Sequence, residues 1–194
     1  MFRRGFKTWA ERTSLRVRQK LKVSSESPLD PFKLAELLGV PVLTPNDLAD
    51  LTEDVRRRLV NDHRDCWSAI TVTNGSGHLV VVNAAHARTR LHSNLAHEIA
   101  HIILGHEPSM MFMSPQSGMA LRTHNEEQEQ EANWLAGCLL LPREALVLIR
   151  RKGMADEDAC LQYGVSAAML RFRFNVTGVD VQLLRARGLG RGRP

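Results

Sequence analysis

His97, Glu98 and His101 are the residues whose types and spacing speak most directly of chemistry. On a helix, positions four apart lie one above the other on the same face. His97 and His101 can therefore present imidazole nitrogens to one cation. Catalytic zinc sites commonly combine two histidines with one carboxylate and leave the fourth position to water. Glu98 stands about 100° around the helix from His97. It is badly placed as the third ligand and well placed as a general base for water at the metal. Leu91, Leu95, Ile99 and Ile102 fall on the opposite face, so the helix can bury one side and turn its histidines into a cleft.

The third ligand must come from elsewhere, and acids downstream offer it. Residues 126–141 read as a second helix, charged in its first half, apolar in its second, and stopped by Pro142. Glu129 and Asn133 are four apart and share a face, as a ligand and a residue that hydrogen-bonds a ligand histidine would. Glu131 points about 200° away from Glu129, so both cannot serve. Glu126, Glu127 and Glu131 read as a solvated face.

Asn83, His97-Glu98-x-x-His101, Glu129-x-Glu131-Ala132-Asn133-x-x-Ala136 and Leu140-Leu141-Pro142 together resemble the ImmA/IrrE family of zinc metallopeptidases. Gly5-Phe6-Lys7, Asp30-Pro31, Leu38-Gly39-Val40 and Gly164-Val165-Ser166 extend the likeness over most of the chain. The resemblance implies that Glu129 is the third Zn²⁺ ligand and that the activity is hydrolysis of a peptide bond. It also implies a protein substrate, a helix-turn-helix repressor. Trp134-Leu135 departs from the family, which often carries its aromatic at the second of these positions. A three-histidine zincin is excluded by Leu104 and Glu107, which stand where Gly and His are needed.

These residues need a scaffold. β-Branched runs on either side of Asn74-Gly75 predict a hairpin over residues 66–83. Its second strand (His78, Leu79, Val80, Val81 and Val82) is read as an edge that an extended substrate could join. Val42 and Leu43 form a short strand after Pro41, and Asp30-Pro31 opens a helix that Gly39 ends. The metal helix lies within residues 84–105, with Gly105 as its stop. His106, just past that end, is off the ligand stripe. Residues 107–125 read as a long Met- and Pro-rich loop, in which His124 is a candidate transition-state donor. The fold class is α+β and zincin-like: mostly helical, with a small antiparallel sheet packed on the metal helix.

The 194 residues carry a net charge of +5 and suit one globular domain, or one plus a small appendage. We divide them into a metallopeptidase domain, 1–150, and a helix-turn-helix-like segment with a basic tail, 151–194. Residues 1–22 hold eight Lys/Arg and read as an amphipathic helix with its basic side in water. Arg171 and Arg173, on the second helix of the appendage, offer a route to DNA contact, though scaffold is the commoner use of such a unit. No run approaches the ~20 apolar residues that span a bilayer, and no signal-peptide core is evident. Cys66, Cys138 and Cys160 are odd in number and read as reduced thiols in core positions of a cytoplasmic protein. A different class of function is a docking module that binds a repressor or DNA without cleavage. Another is a toxin-like partner of an antitoxin. An intact Glu98 argues against the docking module.

Overall fold

The computed structural model describes residues 2–63, 65–74, 77–106, 111–113, 120–122 and 125–186. The helices are α1 (Phe6–Lys20), α2 (Pro31–Leu37), α3 (Glu53–Arg57), α4 (Arg88–Leu104), α5 (Glu126–Leu140), α6 (Arg143–Arg151), α7 (Asp156–Tyr163), α8 (Ala167–Thr177) and α9 (Val179–Ala186). The strands are β1 (Val42–Leu43), β2 (Ala69–Asn74), β3 (Gly77–Val82), β4 (Met111–Met113) and β5 (Ala120–Arg122). The architecture is α+β and zincin-like.

Helix ends fall where side-chain chemistry puts them. Asp30 accepts the Phe32 N–H at 2.9 Å, with Pro31 at the first helical position. Ser166 accepts the Met169 N–H at 3.2 Å and opens α8. Gly105, at φ 64°, closes α4 in the left-handed conformation that glycine adopts without strain. α9 lies in a stretch whose sequence pattern assigned no element.

β2 and β3 pair antiparallel from Ala69↔Val82 to Asn74↔Gly77, as the hairpin reading requires. The sheet is nevertheless mixed, because β1 adds to β3 in parallel through Val42↔Val80 and Leu43↔Val81. The strand order is β1-β3-β2, so β3 is the central strand and β2 is an edge. The assignment of residues 78–82 as a free substrate edge is therefore wrong. Val80, Val81 and Val82 are buried, and β3 spends its backbone groups on two neighbours. Residues 111–113 and 120–122, read as loop, form a short antiparallel ladder.

α4 and α5 pack side by side over one core that runs from Phe6 to Val179. Leu95, Ile99, Leu135 and Leu139 are fully buried in it. Each such side chain contributes roughly 1.5–3 kcal/mol. Ala96 and Ala100 on α4, with Ala132 and Ala136 on α5, are also fully buried and bring no bulk between the two backbones.

The carboxy-terminal end of α5 is buried, so its last carbonyls need donors other than water. Ser14 Oγ donates to the Cys138 carbonyl at 2.6 Å. Arg18 Nη2 donates to those of Leu139 and Leu140, at 2.9 and 3.2 Å. Arg173 Nε donates to that of Leu141 at 2.9 Å, and its Nη2 to Glu11 at 2.5 Å. Gly137 makes room for this, since a Cβ there would lie 2.6 Å from Arg173 Cδ. Two readings of basic residues are corrected here. Arg18 does not belong to a solvated face, and Arg173 cannot read DNA. Both are buried, because helix carbonyls carrying partial negative charge claim them. Burial lowers the Arg18 pKa to about 10, so the group remains charged at neutral pH.

The α7–α8 turn docks on α4. Ser166 N–H donates to Ser93 Oγ at 3.2 Å, and Gly164 comes so close to His92 that a Cβ would sit 2.7 Å from its Nδ1. Cys138 is a core thiol pushed up to about 12 by burial, but Cys66 is exposed rather than core. Among the described residues, no single helix is long and apolar enough to cross a membrane.

Candidate metal centre

α4 supplies two of the converging groups. His97 and His101 stand one turn apart on its half-buried face, and their Nε2 atoms are 3.0 Å from each other. α5 supplies the third: Glu129 Oε2 is 3.2 Å from His97 Nε2, and its Oε1 is 3.6 Å from His101 Nε2. Ligands held about 2.0–2.1 Å from a tetrahedral zinc lie about 3.3–3.4 Å apart. The three separations bracket that value. Among the described residues this is the one group of His, Cys, Asp or Glu side chains whose ligand atoms gather closely enough to hold a metal ion.

Proton placement supports the same reading. His97 Nδ1 is 3.0 Å from Asn133 Oδ1, an acceptor, so the His97 proton belongs on Nδ1. That leaves a bare lone pair on Nε2, aimed at the Glu129 carboxylate. A bare Nε2 is what a metal-binding imidazole requires. Asn133, one turn beyond Glu129 on α5, contacts His97 from the helix that carries the acid.

Glu98 takes no part in the triangle. Thr71 Oγ1, on β2, donates to Glu98 Oε2 at 2.5 Å. Alternation along β2 turns residues 69, 71 and 73 toward α4, which puts the Thr71 hydroxyl over the carboxylate. Thr71 was not singled out by sequence pattern, because its contact depends on how the hairpin sits on the helix. Asn83 is buried and holds the turn into α4: its Nδ2 donates to the Trp67 carbonyl at 3.0 Å, and its Oδ1 accepts from Ala85 N at 3.1 Å.

His106 stands outside the triangle, as its place off the stripe implies, but it links His101 to Glu131. His106 Nδ1 is 3.0 Å from His101 Nδ1, and His106 Nε2 is 3.3 Å from Glu131 Oε2. Glu131 is therefore not part of a solvated face. The signal was available in Gly105, whose left-handed cap turns the chain back, so that His106 N–H reaches the His101 carbonyl at 3.1 Å.

The three ligand atoms open into a cleft of about 650 Å³ between β2 and α4. His78 lines it, with Nδ1 3.0 Å from Thr73 Oγ1 and away from the ligand triangle. Leu79, Val80, Val81 and Val82 do not line it. His124 lies outside the described residues. The cleft can admit an extended chain alongside β2, whose outer edge has no partner strand among the described residues.

No curated protein and no solved structure matches this chain. A profile of the IrrE N-terminal-like domain, peptidase family M78, matches residues 33–175. That span contains both helices of the ligand triangle, the strand that holds Glu98 and the turn that docks on α4. The chain belongs to the IrrE N-terminal-like family of M78 peptidases.

Proposed function

We propose that this protein is a zinc metallo-endopeptidase. Its substrate is a regulatory protein, a helix-turn-helix repressor by resemblance to the ImmA/IrrE family. The observation that carries the reading is the convergence of His97, His101 and Glu129, with Glu98 held beside them on the cleft wall. The donor set, two imidazole nitrogens and one carboxylate, is that of catalytic zinc. Zinc held by His97, His101 and Glu129 would supply Lewis acidity, polarising a carbonyl and bringing the pKa of water down toward about 7.

The chain's own groups do the rest. His97 and His101 bind through Nε2, and Asn133 keeps the His97 ring in register. Glu98 accepts the proton of the attacking water at a carboxylate oxygen and returns it to the departing amine nitrogen. The Thr71 hydroxyl holds that carboxylate in place through its other oxygen. The substrate lies as an added strand along β2, an edge strand among the described residues, in place of the β3 edge expected from sequence.

Glu98→Gln separates this reading from a docking module or a toxin-like binding partner. A general base typically contributes 10²–10⁴-fold. A peptidase retains metal and partner in this variant but loses cleavage, so the repressor persists in cells. Full induction of a repressor-controlled reporter by Glu98→Gln at matched expression rejects hydrolysis and leaves binding as the function.

A further inference from the structure

The two ligand histidines are supported differently. The Nδ1 atom of His97 meets a neutral amide, Asn133. The Nδ1 atom of His101 meets another imidazole, and that imidazole meets a carboxylate. We infer that His106 and Glu131 form a directional hydrogen-bond relay that positions His101 as a metal ligand. This rests on the reading that His97, His101 and Glu129 hold zinc.

The direction follows from the metal end. A neutral histidine that binds through Nε2 carries its proton on Nδ1. His101 Nδ1–H therefore donates to His106 Nδ1 across 3.0 Å. His106 must then carry its own proton on Nε2, and that proton points at Glu131 Oε2, 3.3 Å away. An ionised carboxylate only accepts, so the chain ends there. Ligand and terminal acid thus select the same tautomer of His106.

The geometry is built rather than incidental. The His106 side chain is 7 % exposed and Glu131 20 %. The His101 and His106 rings sit 5.0 Å apart at 68°, edge to face, so the in-plane nitrogen of one can address the other. The relay crosses from the end of α4 to α5, the helix that also carries Glu129 and Asn133. α5 therefore supplies one ligand and the outer support of both histidines. Histidine ligands backed by a carboxylate are oriented and made more basic, and loss of such partners typically costs about 10–100-fold in metal affinity or activity.

The test uses the full chain, stripped of metal and titrated with zinc against a chromophoric chelator. Absorption of the cobalt-substituted protein is recorded in parallel. His106→Ala is expected to weaken zinc binding about 10–100-fold and to change the cobalt spectrum. His106→Asn returns an acceptor oxygen to the place of Nδ1, as Asn133 does at His97, and is expected to restore affinity to within about threefold. Glu131→Ala weakens binding in the wild-type chain but adds nothing in the His106→Asn background, because the shorter asparagine has no atom in the place of Nε2 to reach Glu131. Three results overturn the relay: His106→Ala binding zinc as the parent does, His106→Asn failing to rescue, or an equal Glu131→Ala effect in both backgrounds. If His106→Ala does not fold, the His106→Asn and Glu131→Ala arms decide alone. A parent chain that binds no zinc contradicts the underlying metallopeptidase reading instead, and His97→Ala supplies the reference for a broken site.

Discussion

Arg18→Met separates a buried cap from a surface charge. The substitution keeps most of the stem volume and removes the guanidinium. In the structure this group donates to the Leu139 and Leu140 carbonyls, and its Nη1 reaches those of Ser24 and Ser27 at 3.0 and 2.6 Å. The side chain is 1 % exposed, so water cannot take over inside. Two buried carbonyls without donors cost roughly 1–3 kcal/mol each. Relief of the buried charge offsets part of this, and a net loss of about 1–5 kcal/mol remains. At roughly 2–4 °C per kcal/mol for a chain of this length, Tm should fall by about 2–20 °C. The assay is thermal unfolding of the metal-free chain by circular dichroism, since bound metal would mask part of the change. Arg16→Met is the control: Arg16 is exposed and bonds Thr13, its neighbour on α1. An exposed arginine changes stability by about 0.5 kcal/mol or less. Equal melting shifts for the two variants would refute the cap.

Thr71→Val keeps shape and removes the donor to Glu98. A hydrogen bond to a charged group contributes about 1.5–3 kcal/mol, so kcat should fall roughly 10–100-fold with zinc affinity unchanged; unchanged kcat contradicts the positioning role. Glu129→Ala should abolish stoichiometric zinc while Glu126→Ala retains it, as elemental analysis will report; zinc retained by Glu129→Ala breaks the ligand triangle. Burial holds the His92 pKa below its ordinary value near 6.5, and Asp30 opposes this only in part. The unfolded chain then takes up a proton that the folded chain refuses. The His92 contribution is therefore fully present above about pH 6.5 and is lost as pH falls toward the lowered folded value. His92→Gln should flatten that segment of a stability–pH profile, and parallel profiles for the two proteins would exclude it.

What was legible in the sequence was what local spacing controls. His97 and His101 share a face because helices repeat every 3.6 residues, and Asn133 follows Glu129 by the same rule. Asn74-Gly75 announced the hairpin, and Asp30, Gly105 and Ser166 marked helix ends through their own backbone chemistry. What was illegible depends on distant partners. Val42 and Leu43 are legible as a short strand, but not their partner: pairing with β3 makes β3 central and leaves β2 as an edge. Arg18 and Arg173 look like surface charges until the end of α5 is brought to them. His106 fell outside the stripe argument because that argument stops where Gly105 ends the helix.

Hydrolysis of a degenerate peptide library by the zinc-loaded chain tests the central claim most directly, with new termini counted by mass spectrometry. The parent should cut, a chelator should stop it, and Glu98→Gln should cut about 10²–10⁴-fold more slowly with its zinc content intact. Equal rates of cleavage by the parent and Glu98→Gln would contradict the proposed mechanism.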